Sequence, residues 1–318
     1  MKEDKRELLA RISYLYYIKG YTQQQIAQEL NIYRTTISRF LKEAQQEQIV
    51  SIQIVGYDTK LFELELRIKA LTTLKKVVIV PNFPTETEKQ KDENLSKKAA
   101  QYLKSTIKPH STVGFAWGKN LAGMVGQLRS FKNTNSLFVP LVGGPSRFNA
   151  GYHPNSIVYN FAHQLGGQSL FINETAIQPT AYQRTQLYES LAFKKIFHAW
   201  EQLDIAFVGI GGSLKSKGSH WRDLLTAKDI AELTERGAVG DCCCTFFDKN
   251  GEILSGQLLN RTVSIPIQML QKVPTVVGVA RSLDKVNSIA AILKMNLLDV
   301  FIIDELTAQK LVTLLADR

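Results

Sequence analysis

From residue 75 onward, short apolar segments alternate with segments of helical length, and this alternation constrains the fold more than any other feature. A parallel connection between two strands needs room for a crossover helix, and a strand buried on both faces reads as a continuous apolar run. We predict strands at residues 76–80, 112–116, 136–142, 169–172, 205–210, 241–247, 275–280 and 300–304. We predict helices at residues 88–106, 119–129, 154–165, 181–202, 226–235, 284–295 and 305–316. The pattern indicates an α/β domain with a mostly parallel sheet covered by helices on both faces.

The N-terminal part of the chain differs in composition from the rest, since residues 1–55 contain one glycine and no proline. Apolar spacing predicts three helices at residues 4–18, 23–30 and 34–46, and the alternating residues 49–55 predict a short strand or wing. An apolar helix over residues 61–74 follows. At about 100–200 residues per domain, a chain of 318 residues accommodates two domains, which we place at 1–56 and 57–318.

Composition excludes several classes of protein. With 44% apolar and 21% charged residues, the chain is typical of globular proteins rather than of disordered ones. It has no run of about 18 apolar residues and no signal-peptide core, so we expect a soluble cytoplasmic protein. The net charge of +10 favours anionic partners, but the basic excess is spread along the chain and locates no single face. The consecutive Cys242, Cys243 and Cys244 lack metal-site spacing, and we expect them to be buried, reduced strand residues.

Residues 22–42 have the pattern of a helix-turn-helix. Thr22 and Gln25 form a capping-box pattern before the second helix, and Asn31 suits the left-handed conformation that the turn requires. The third helix then presents side chains that suit base edges and phosphates in a DNA major groove. The candidate DNA-binding residues are Gln23, Tyr33, Arg34, Thr35, Thr36, Ser38 and Arg39. The alternative interpretation is a three-helix module that binds another protein.

Four glycine-containing turns adjoin predicted strands of the larger domain, at about residues 114–120, 143–146, 209–213 and 238–241. Free backbone N–H groups at a helix start bind anions, and ligands in open α/β sheets bind beyond the carboxyl ends of the strands. One such turn is weak evidence for a ligand site. Several in one predicted parallel sheet favour a phosphorylated small ligand.

The chain resembles the SorC family of bacterial sugar-responsive transcriptional regulators over essentially its whole length. The resemblance is carried by LYYIKGYTQQQIAQELNIYRTTISRFLKEAQQEQIV and then, in family order, by VGFAWGKNL, PLVGG, DIAFVGIGG, GAVGDCCCTFFDKNG and DVFIIDELTA. It implies an effector domain similar to the glucosamine-phosphate and ribose-phosphate isomerase fold, which binds a sugar or sugar phosphate and needs no cofactor. It also implies double-stranded operator DNA as a partner and assembly into a homo-oligomer, either a dimer or a tetramer.

The resemblance also implies an effector site. Its candidate residues are Gly118, Lys119, Asn120, Gly143, Gly144, Ser146, Asp241 and Lys285. By the resemblance, residues 118–120 hold a phosphate, Asp241 accepts hydrogen bonds from sugar hydroxyls, and Lys285 pairs with a phosphate. Each has a structural alternative, which is a turn cap for Asp241 and a solvated side chain for Lys119 and Lys285. The chain departs from the family just before Lys285, where paired glycines are often found and Arg281 either adds a phosphate contact or alters the pocket.

The related isomerases need positioned acids and bases for proton transfer. Deaminating isomerases carry a Gly-Ile-Gly-x-Asp-Gly-His type of segment, but residues 209–213 here read Gly-Ile-Gly-Gly-Ser, and the Asp-Gly-His is missing. His220 follows seven residues later, and we interpret it as a surface-loop histidine; the other histidines show no metal-ligand spacing. We therefore expect a binding domain without catalysis. The competing interpretation is a phosphosugar isomerase with an N-terminal interaction module.

Overall fold

The computed structural model describes residues 2–52, 59–128, 133–145, 150–214 and 224–317 of the chain. The chain divides into two compact units, Met1–Thr59 and Lys60–Arg318. Within the described residues, no helix combines the length and the hydrophobicity that crossing a bilayer requires.

The first unit is helical throughout its described part. Its helices are α1 Lys2–Ser13, continued by a π-helical turn Tyr14–Ile18, and then α2 Gln23–Leu30 and α3 Arg34–Gln46. The predicted capping box at the start of α2 is present, because Thr22 and Gln25 each accept a hydrogen bond from the backbone N–H of the other. Asn31 ends α2 with φ of 50°, in the left-handed region that the turn requires. The core of the unit is formed by Ile12, Ile26, Ile37 and Leu41.

The predicted strand over residues 49–55 is wrong for the part that the structure describes. Residues 49–52 form no strand. The backbone N–H groups of Ile49 and Val50 both donate to the Ala44 carbonyl oxygen, at 2.9 and 3.2 Å, after Gln48 turns the chain with φ of 56°. These groups close the end of α3 and are not free to form a ladder. Residues 53–55 lie outside the described residues.

The second unit is an α/β structure. Its strands are β1 Lys76–Val80, β2 Thr112–Phe115, β3 Leu137–Pro140, β4 Gln168–Ser169, β5 Ile205–Gly209, β6 Gly240–Cys242, β7 Thr245–Phe247, β8 Thr275–Ala280 and β9 Val300–Asp304. The helices from residue 59 onward are α4 Thr59–Ala70, α5 Glu88–Thr106, α6 Lys119–Val125, α7 Pro154–Leu165, α8 Ala181–Glu189, α9 Leu191–Glu201, α10 Ala227–Glu235, α11 Gln257–Arg261, α12 Ile267–Leu270, α13 Val286–Lys294 and α14 Glu305–Ala316. Short 3-10 turns at Ala150–Tyr152 and Leu283–Lys285 precede α7 and α13.

Seven strands form one sheet in the order β1-β9-β8-β5-β2-β3-β4, and all of its strand pairings are parallel. Apart from the short edge strand β4, the strands are mostly apolar and mostly buried, as a sheet covered by helices requires. Phe115 of β2 stacks on Phe161 of α7 and on Phe207 of β5, with ring centroids 4.2 and 5.2 Å away. The predicted α/β fold with a mostly parallel sheet is confirmed.

The strand order reverses direction between β2 and β5. From β2 the chain continues outward through β3 and β4, whereas β5, β8 and β9 follow one another on the other side. The pairing of β2 with β5 extends one residue beyond β2, since the Ala116 N–H donates to the Phe207 carbonyl oxygen of β5 at 2.9 Å. In open α/β sheets such a reversal leaves a crevice outside the carboxyl ends of the strands, where ligands bind. We call this region the switch crevice and define it by residues 116–120 after β2 and 210–213 after β5.

One predicted strand of this sheet is wrong. Residues 241–247 form an antiparallel hairpin of β6 and β7 outside the seven-stranded sheet, with single bridges from Asp241 to Gly211 and from Phe247 to Ile253. Cys243 and Cys244 make the two-residue turn with φ of 50° and 59°, as a hairpin turn with two left-handed residues requires. All three cysteines are buried and none is in a disulfide. The continuous apolar run therefore reflects a buried hairpin, which periodicity alone does not distinguish from a buried strand.

The predicted helix over residues 181–202 is divided into α8 and α9. Ser190 separates the two helices, with ψ of 148°, and its hydroxyl oxygen accepts a hydrogen bond from the Phe193 N–H at 3.2 Å. A serine hydroxyl that caps a new helix competes with continuation of the old one. The break is therefore encoded by one polar residue within an otherwise helical pattern.

Candidate functional site

One face of α3 is buried in the N-terminal unit and the other is exposed. Ile37, Leu41 and Ala44 are buried. The predicted DNA-binding residues lie at other positions of α3, directly before it at Tyr33, and at the start of α2 for Gln23. Tyr33 is 85% exposed and Arg34, Thr35 and Arg39 are exposed, whereas Gln23, Thr36 and Ser38 are half-buried.

Two cations of the exposed face are predicted DNA-binding residues, Arg34 and Arg39. Arg34 is the first residue of α3, and the Arg39 guanidinium lies 5.4 Å from the ring centroid of Phe40. Their exposure leaves both guanidinium groups able to donate to a DNA phosphate or to a guanine edge. Gln23 is the first residue of α2, where a side-chain amide can donate to a phosphate at the helix start.

In the C-terminal unit, Gly118 and the two residues after it form the start of α6 at the switch crevice. Gly118 has φ of 137° and precedes the helix directly, a conformation in which a side chain is strained. The Lys119 Nζ lies 2.5 Å from the Asp92 Oδ2, and this hydrogen bond raises the pKa of Lys119. The Asn120 Oδ1 is buried and receives no hydrogen bond from any residue that the structure describes.

Asp241 lies against the loop that follows β5. The Gly211 N–H donates to the Asp241 carbonyl oxygen at 2.8 Å. A Cβ atom on Gly211 would stand 1.9 Å from the Asp241 Oδ1, so only glycine fits beneath this carboxylate. Asp241 is 4% exposed. The structure thus brings a buried carboxylate to the switch crevice. Gly211, which lies against Asp241, follows β5, and Gly118, which precedes Lys119, follows the neighbouring strand β2.

Gly143 and Gly144 lie in a loop whose backbone groups have partners within the protein. The Gly143 N–H donates to the Val263 carbonyl oxygen at 2.9 Å, and the Gly144 N–H donates to the Glu174 carbonyl oxygen at 2.8 Å. The anion-binding role that free N–H groups give to a glycine turn therefore does not apply to these two residues. Close packing explains the glycines instead, because a Cβ on Gly144 would stand 2.3 Å from the His153 Nε2. Ser146 and His220 lie outside the described residues.

His153 links this loop to α7. Its Nδ1 accepts a hydrogen bond from the Asn155 N–H at 3.2 Å and so caps the helix in the unprotonated form. Burial lowers the pKa of His153.

We expect the free energy of unfolding to fall as the pH is lowered through the pKa of His153. An imidazole whose pKa is depressed by folding contributes stability that is complete above its unfolded pKa of about 6.5 and is lost at lower pH. His153→Asn keeps a capping side chain that does not titrate, so its urea denaturation series between neutral and mildly acidic pH should have a shallower slope than the wild type. His163→Asn, which removes an exposed imidazole from the same helix, is the control. Equal slopes for His153→Asn and the wild type would contradict this assignment.

The segment after β8 contains a cluster of charges that sequence reasoning found only in part. Arg281 is 8% exposed, and its Nη1 and Nη2 atoms lie 2.6 Å from the Asp92 Oδ1 and 2.5 Å from the Glu88 Oε2. Ser282 follows with φ of 106°, a conformation that favours glycine. Lys285, half-buried, ends the 3-10 turn before α13. Arg281 was identified from the sequence, whereas its partners Glu88 and Asp92 were not.

A signal for these two partners was present in the sequence. Glu88 and Asp92 are four residues apart near the start of α5, which places both carboxylates on the same face of the helix. Because α5 follows β1, its start lies at the carboxyl edge of the sheet, as do the start of α6 and the loop after β8. Asp92 is the common partner of Lys119 and Arg281. Charged side chains, among them Lys119, Arg281, Asp92 and Asp241, therefore gather at this edge together with the Asn120 amide, which suits a polar ligand.

No group of three or more histidine, cysteine, aspartate or glutamate side chains is placed to share a metal ion within the part of the chain that the structure describes.

Known proteins similar to this chain are matched over nearly all of its length. A family model described as "Putative sugar-binding domain" matches residues 58–313. The sorbitol operon regulator of Klebsiella pneumoniae is 30% identical over 311 residues, which cover 97% of this chain and 98% of that protein. The crystal structure of the full-length regulator, SorC, has a TM-score of 0.76 to this chain over 96% of its residues and 98% of the other.

Two further proteins are similar to this chain. The deoxyribonucleoside regulator of Bacillus subtilis is 27% identical, over 98% of this chain and 99% of that protein. The crystal structure of a transcriptional regulator from Streptococcus pneumoniae TIGR4 is 36% identical, with a TM-score of 0.77, and covers 81% of this chain and 98% of that one. The first of these matches includes the N-terminal unit as well as the α/β unit.

Proposed function

The chain belongs to the SorC family of sugar-responsive transcriptional regulators, and from this membership we propose that residues 1–56 bind operator DNA and residues 57–318 bind the effector. The observation that carries the proposal is the presence in one chain of a helix-turn-helix with an exposed basic face and a parallel sheet with a polar carboxyl edge. The first element suits a DNA groove, and the second suits a small ligand.

On the DNA side, we propose that α3 is the recognition helix. Its residues Arg34, Thr35 and Arg39 are exposed, opposite the buried Ile37 and Leu41. Arginine pairs with guanine edges or phosphates, and hydroxyl groups pair with bases or phosphates. The complete proposed set is Gln23, Tyr33, Arg34, Thr35, Thr36, Ser38 and Arg39.

On the effector side, we propose that a sugar or sugar phosphate binds at the switch crevice. The start of α6 and the Asp241 carboxylate supply donors and acceptors for hydroxyl and phosphate oxygens. The Gly143 loop serves as a wall of this site rather than as a donor, because its N–H groups have protein partners. The complete proposed set is Gly118, Lys119, Asn120, Gly143, Gly144, Ser146, Asp241 and Lys285. The names of the relatives, a sorbitol operon regulator and a deoxyribonucleoside regulator, support a polyhydroxy ligand connected with carbohydrate use.

Regulation requires that the effector bind one arrangement of the protein more tightly than another. We propose that the regulator acts as a homo-oligomer, a dimer or a tetramer, with paired recognition helices on a pseudo-palindromic operator. A helix-turn-helix dimer reads two half-sites whose symmetry mirrors its own. The effector would then change DNA affinity by shifting the population of subunit arrangements.

The relatives are named as regulators, and we propose that this chain binds its effector without converting it. The test is to incubate the purified full-length chain with a panel of sugars and sugar phosphates and to measure binding by calorimetry and conversion by chromatography. The expected result is saturable binding of at least one compound with recovery of that compound unchanged. Turnover of a sugar phosphate would instead support the isomerase interpretation.

A further inference from the structure

Asp304 is a buried carboxylate at the carboxyl end of the sheet. It is the last residue of β9 and is 3% exposed. Its Oδ1 atom is shielded from solvent and has no hydrogen-bond partner among the residues that the structure describes. A buried polar atom without a partner costs free energy, and the cost is greater for a charged group, so each such atom in a folded protein requires an explanation.

The position of Asp304 offers a local partner that its side chain does not use. Asp304 directly precedes α14, at the N-cap position, where an aspartate normally accepts from the N–H of the second or third helical residue. Its side chain makes no such bond. The third helical residue, Thr307, instead accepts a hydrogen bond on its Oγ1 from the Ser282 N–H at 2.9 Å. Capping of α14 therefore does not explain the aspartate.

Arg281 occupies the equivalent position on the neighbouring strand. Ala280, the last residue of β8, is paired with Ile303 of β9, so the next residues along the two parallel chains are Arg281 and Asp304. Residues in register on neighbouring strands point to the same face of a sheet. Because the Arg281 side chain reaches α5, we infer that Asp304 also lies on the face that α5 covers.

The guanidinium of Arg281 supplies a buried donor without a partner. Its Nη1 and Nη2 atoms lie 2.6 Å from the Asp92 Oδ1 and 2.5 Å from the Glu88 Oε2, and these bonds hold the group on α5. Its Nε atom is buried and has no hydrogen-bond partner within the described part of the chain. β8 and β9 thus end in a donor and an acceptor, each buried and each without a partner.

We propose that Arg281 and Asp304 together bind one hydroxyl group of a polyol, which accepts from the Arg281 Nε–H and donates to the Asp304 Oδ1. A hydroxyl group can accept one hydrogen bond and donate another, as this pair requires. A fully ionised anion lacks the proton that the carboxylate accepts and is repelled by its charge, so the pair selects a neutral group. The inference rests on the proposed function and adds Asp304 to the residues that determine which polyhydroxy compound is bound.

This pair is a subsite separate from the switch crevice. β9 is two strands away from β5, and neighbouring strands lie about 4.8 Å apart, so β9 lies about 10 Å from β5. The two places are joined through Asp92, which is the shared partner of Arg281 and Lys119. A site that hydrogen-bonds a ligand hydroxyl discriminates strongly against a compound that lacks it, because its own polar atoms then stay unpaired. Asp304 therefore determines specificity.

The test measures calorimetric binding to the full-length wild type and to Asp304→Asn, with sorbitol, sorbitol 6-phosphate and inorganic phosphate as probes at fixed pH and salt. The substitution keeps the shape of the side chain and removes its charge. Both sorbitol probes should bind about tenfold more weakly, as expected for the loss of one charge-assisted hydrogen bond. Inorganic phosphate should bind equally to both proteins, because it has no polyol chain that reaches the pair.

Thermal unfolding without ligand distinguishes binding from a structural role. Asp304→Asn should be at least as stable as the wild type, because it removes a buried charge that lacks a partner. Asp299→Asn is the matched control, since Asp299 directly precedes β9, where its carboxylate accepts from the Val276 N–H at 2.8 Å and lies 2.7 Å from the Lys75 Nζ. The control should lower the unfolding midpoint and leave the affinity for sorbitol unchanged. A lower midpoint in Asp304→Asn would contradict the inference.

A second variant tests whether the two residues bind the same group. Arg281→Lys lacks the Nε–H donor and should also weaken both sorbitol probes. Combined with Asp304→Asn, it should weaken them by less than the sum of the single effects, because both variants remove partners of one hydroxyl. The inference is overturned if the losses are fully additive, if Asp304→Asn binds the sorbitol probes as tightly as the wild type or weakens inorganic phosphate equally, or if the wild type binds neither sorbitol probe. Operator binding by the same proteins, measured without a probe, reports separately on the proposed function.

Discussion

Replacing Arg34 and Arg39 together with alanine is expected to weaken specific operator binding by at least about a hundredfold, since each base or phosphate contact of this kind is worth roughly 1–3 kcal/mol. Both side chains are exposed and neither belongs to the core of the N-terminal unit. The variant should therefore unfold at the same temperature as the wild type and bind the effector with the same affinity. Fluorescence anisotropy with operator and random duplexes, at one salt concentration, measures the loss.

The matched control for this double variant is Arg67→Ala with Lys69→Ala. Both residues are exposed on α4, in the other unit, and their removal changes the net charge by the same amount. If DNA binding depended only on overall charge, the two double variants would lose affinity equally. Equal losses, or full operator affinity in Arg34→Ala/Arg39→Ala, would show that α3 is not the recognition helix.

Replacing Asp241 with asparagine is expected to lower effector affinity by about 10–100-fold, which corresponds to one or two lost charge-assisted hydrogen bonds. The substitution keeps the shape of the buried side chain, so it removes the charge without opening a cavity. Binding of operator DNA in the absence of effector should be unchanged. Calorimetry with the effector and anisotropy with the operator measure the two properties on the same preparation.

Two further variants decide whether Asp241 touches the ligand or only supports the fold. Gly211→Ala places a Cβ 1.9 Å from the Asp241 Oδ1 and must displace the carboxylate, so it should lower effector affinity as Asp241→Asn does. Asp204→Asn alters an aspartate at the amino end of β5, where the carboxylate accepts from the Thr112 N–H at 2.8 Å, and should leave effector affinity unchanged. A loss of stability in Asp241→Asn with unchanged effector affinity would assign Asp241 a structural role.

The regular part of the fold could be predicted from the sequence because its signals are local. Strands such as β1 and β9 are short runs rich in β-branched residues, and the capping box of α2 needs only Thr22 and Gln25. The hairpin at residues 240–247 could not be predicted, because it depends on Cys243 and Cys244 adopting left-handed conformations that cysteine rarely has. Tertiary packing, which buries this turn, overrides the local preference.

The candidate site could be predicted only where one segment supplies the residues. The turn at residues 118–120 and the position of Asp241 follow from the sequence pattern and the family resemblance. The role of Arg281 could not be read in this way, because Glu88 and Asp92 precede it by nearly two hundred residues and lie on a different helix. The sequence also does not show that the backbone N–H groups of Gly143 and Gly144 donate hydrogen bonds to other segments of the chain. Such partners are set by the topology of the sheet.

The measurement that tests the central claim most directly is binding of the full-length chain to the DNA upstream of its own gene, titrated at fixed salt with sugars and sugar phosphates. We predict saturable binding that exceeds binding to a random duplex and that one sugar or sugar phosphate shifts, in either direction. Binding to the upstream DNA no stronger than to a random duplex, or specific binding that no compound changes, would contradict a sugar-responsive regulator.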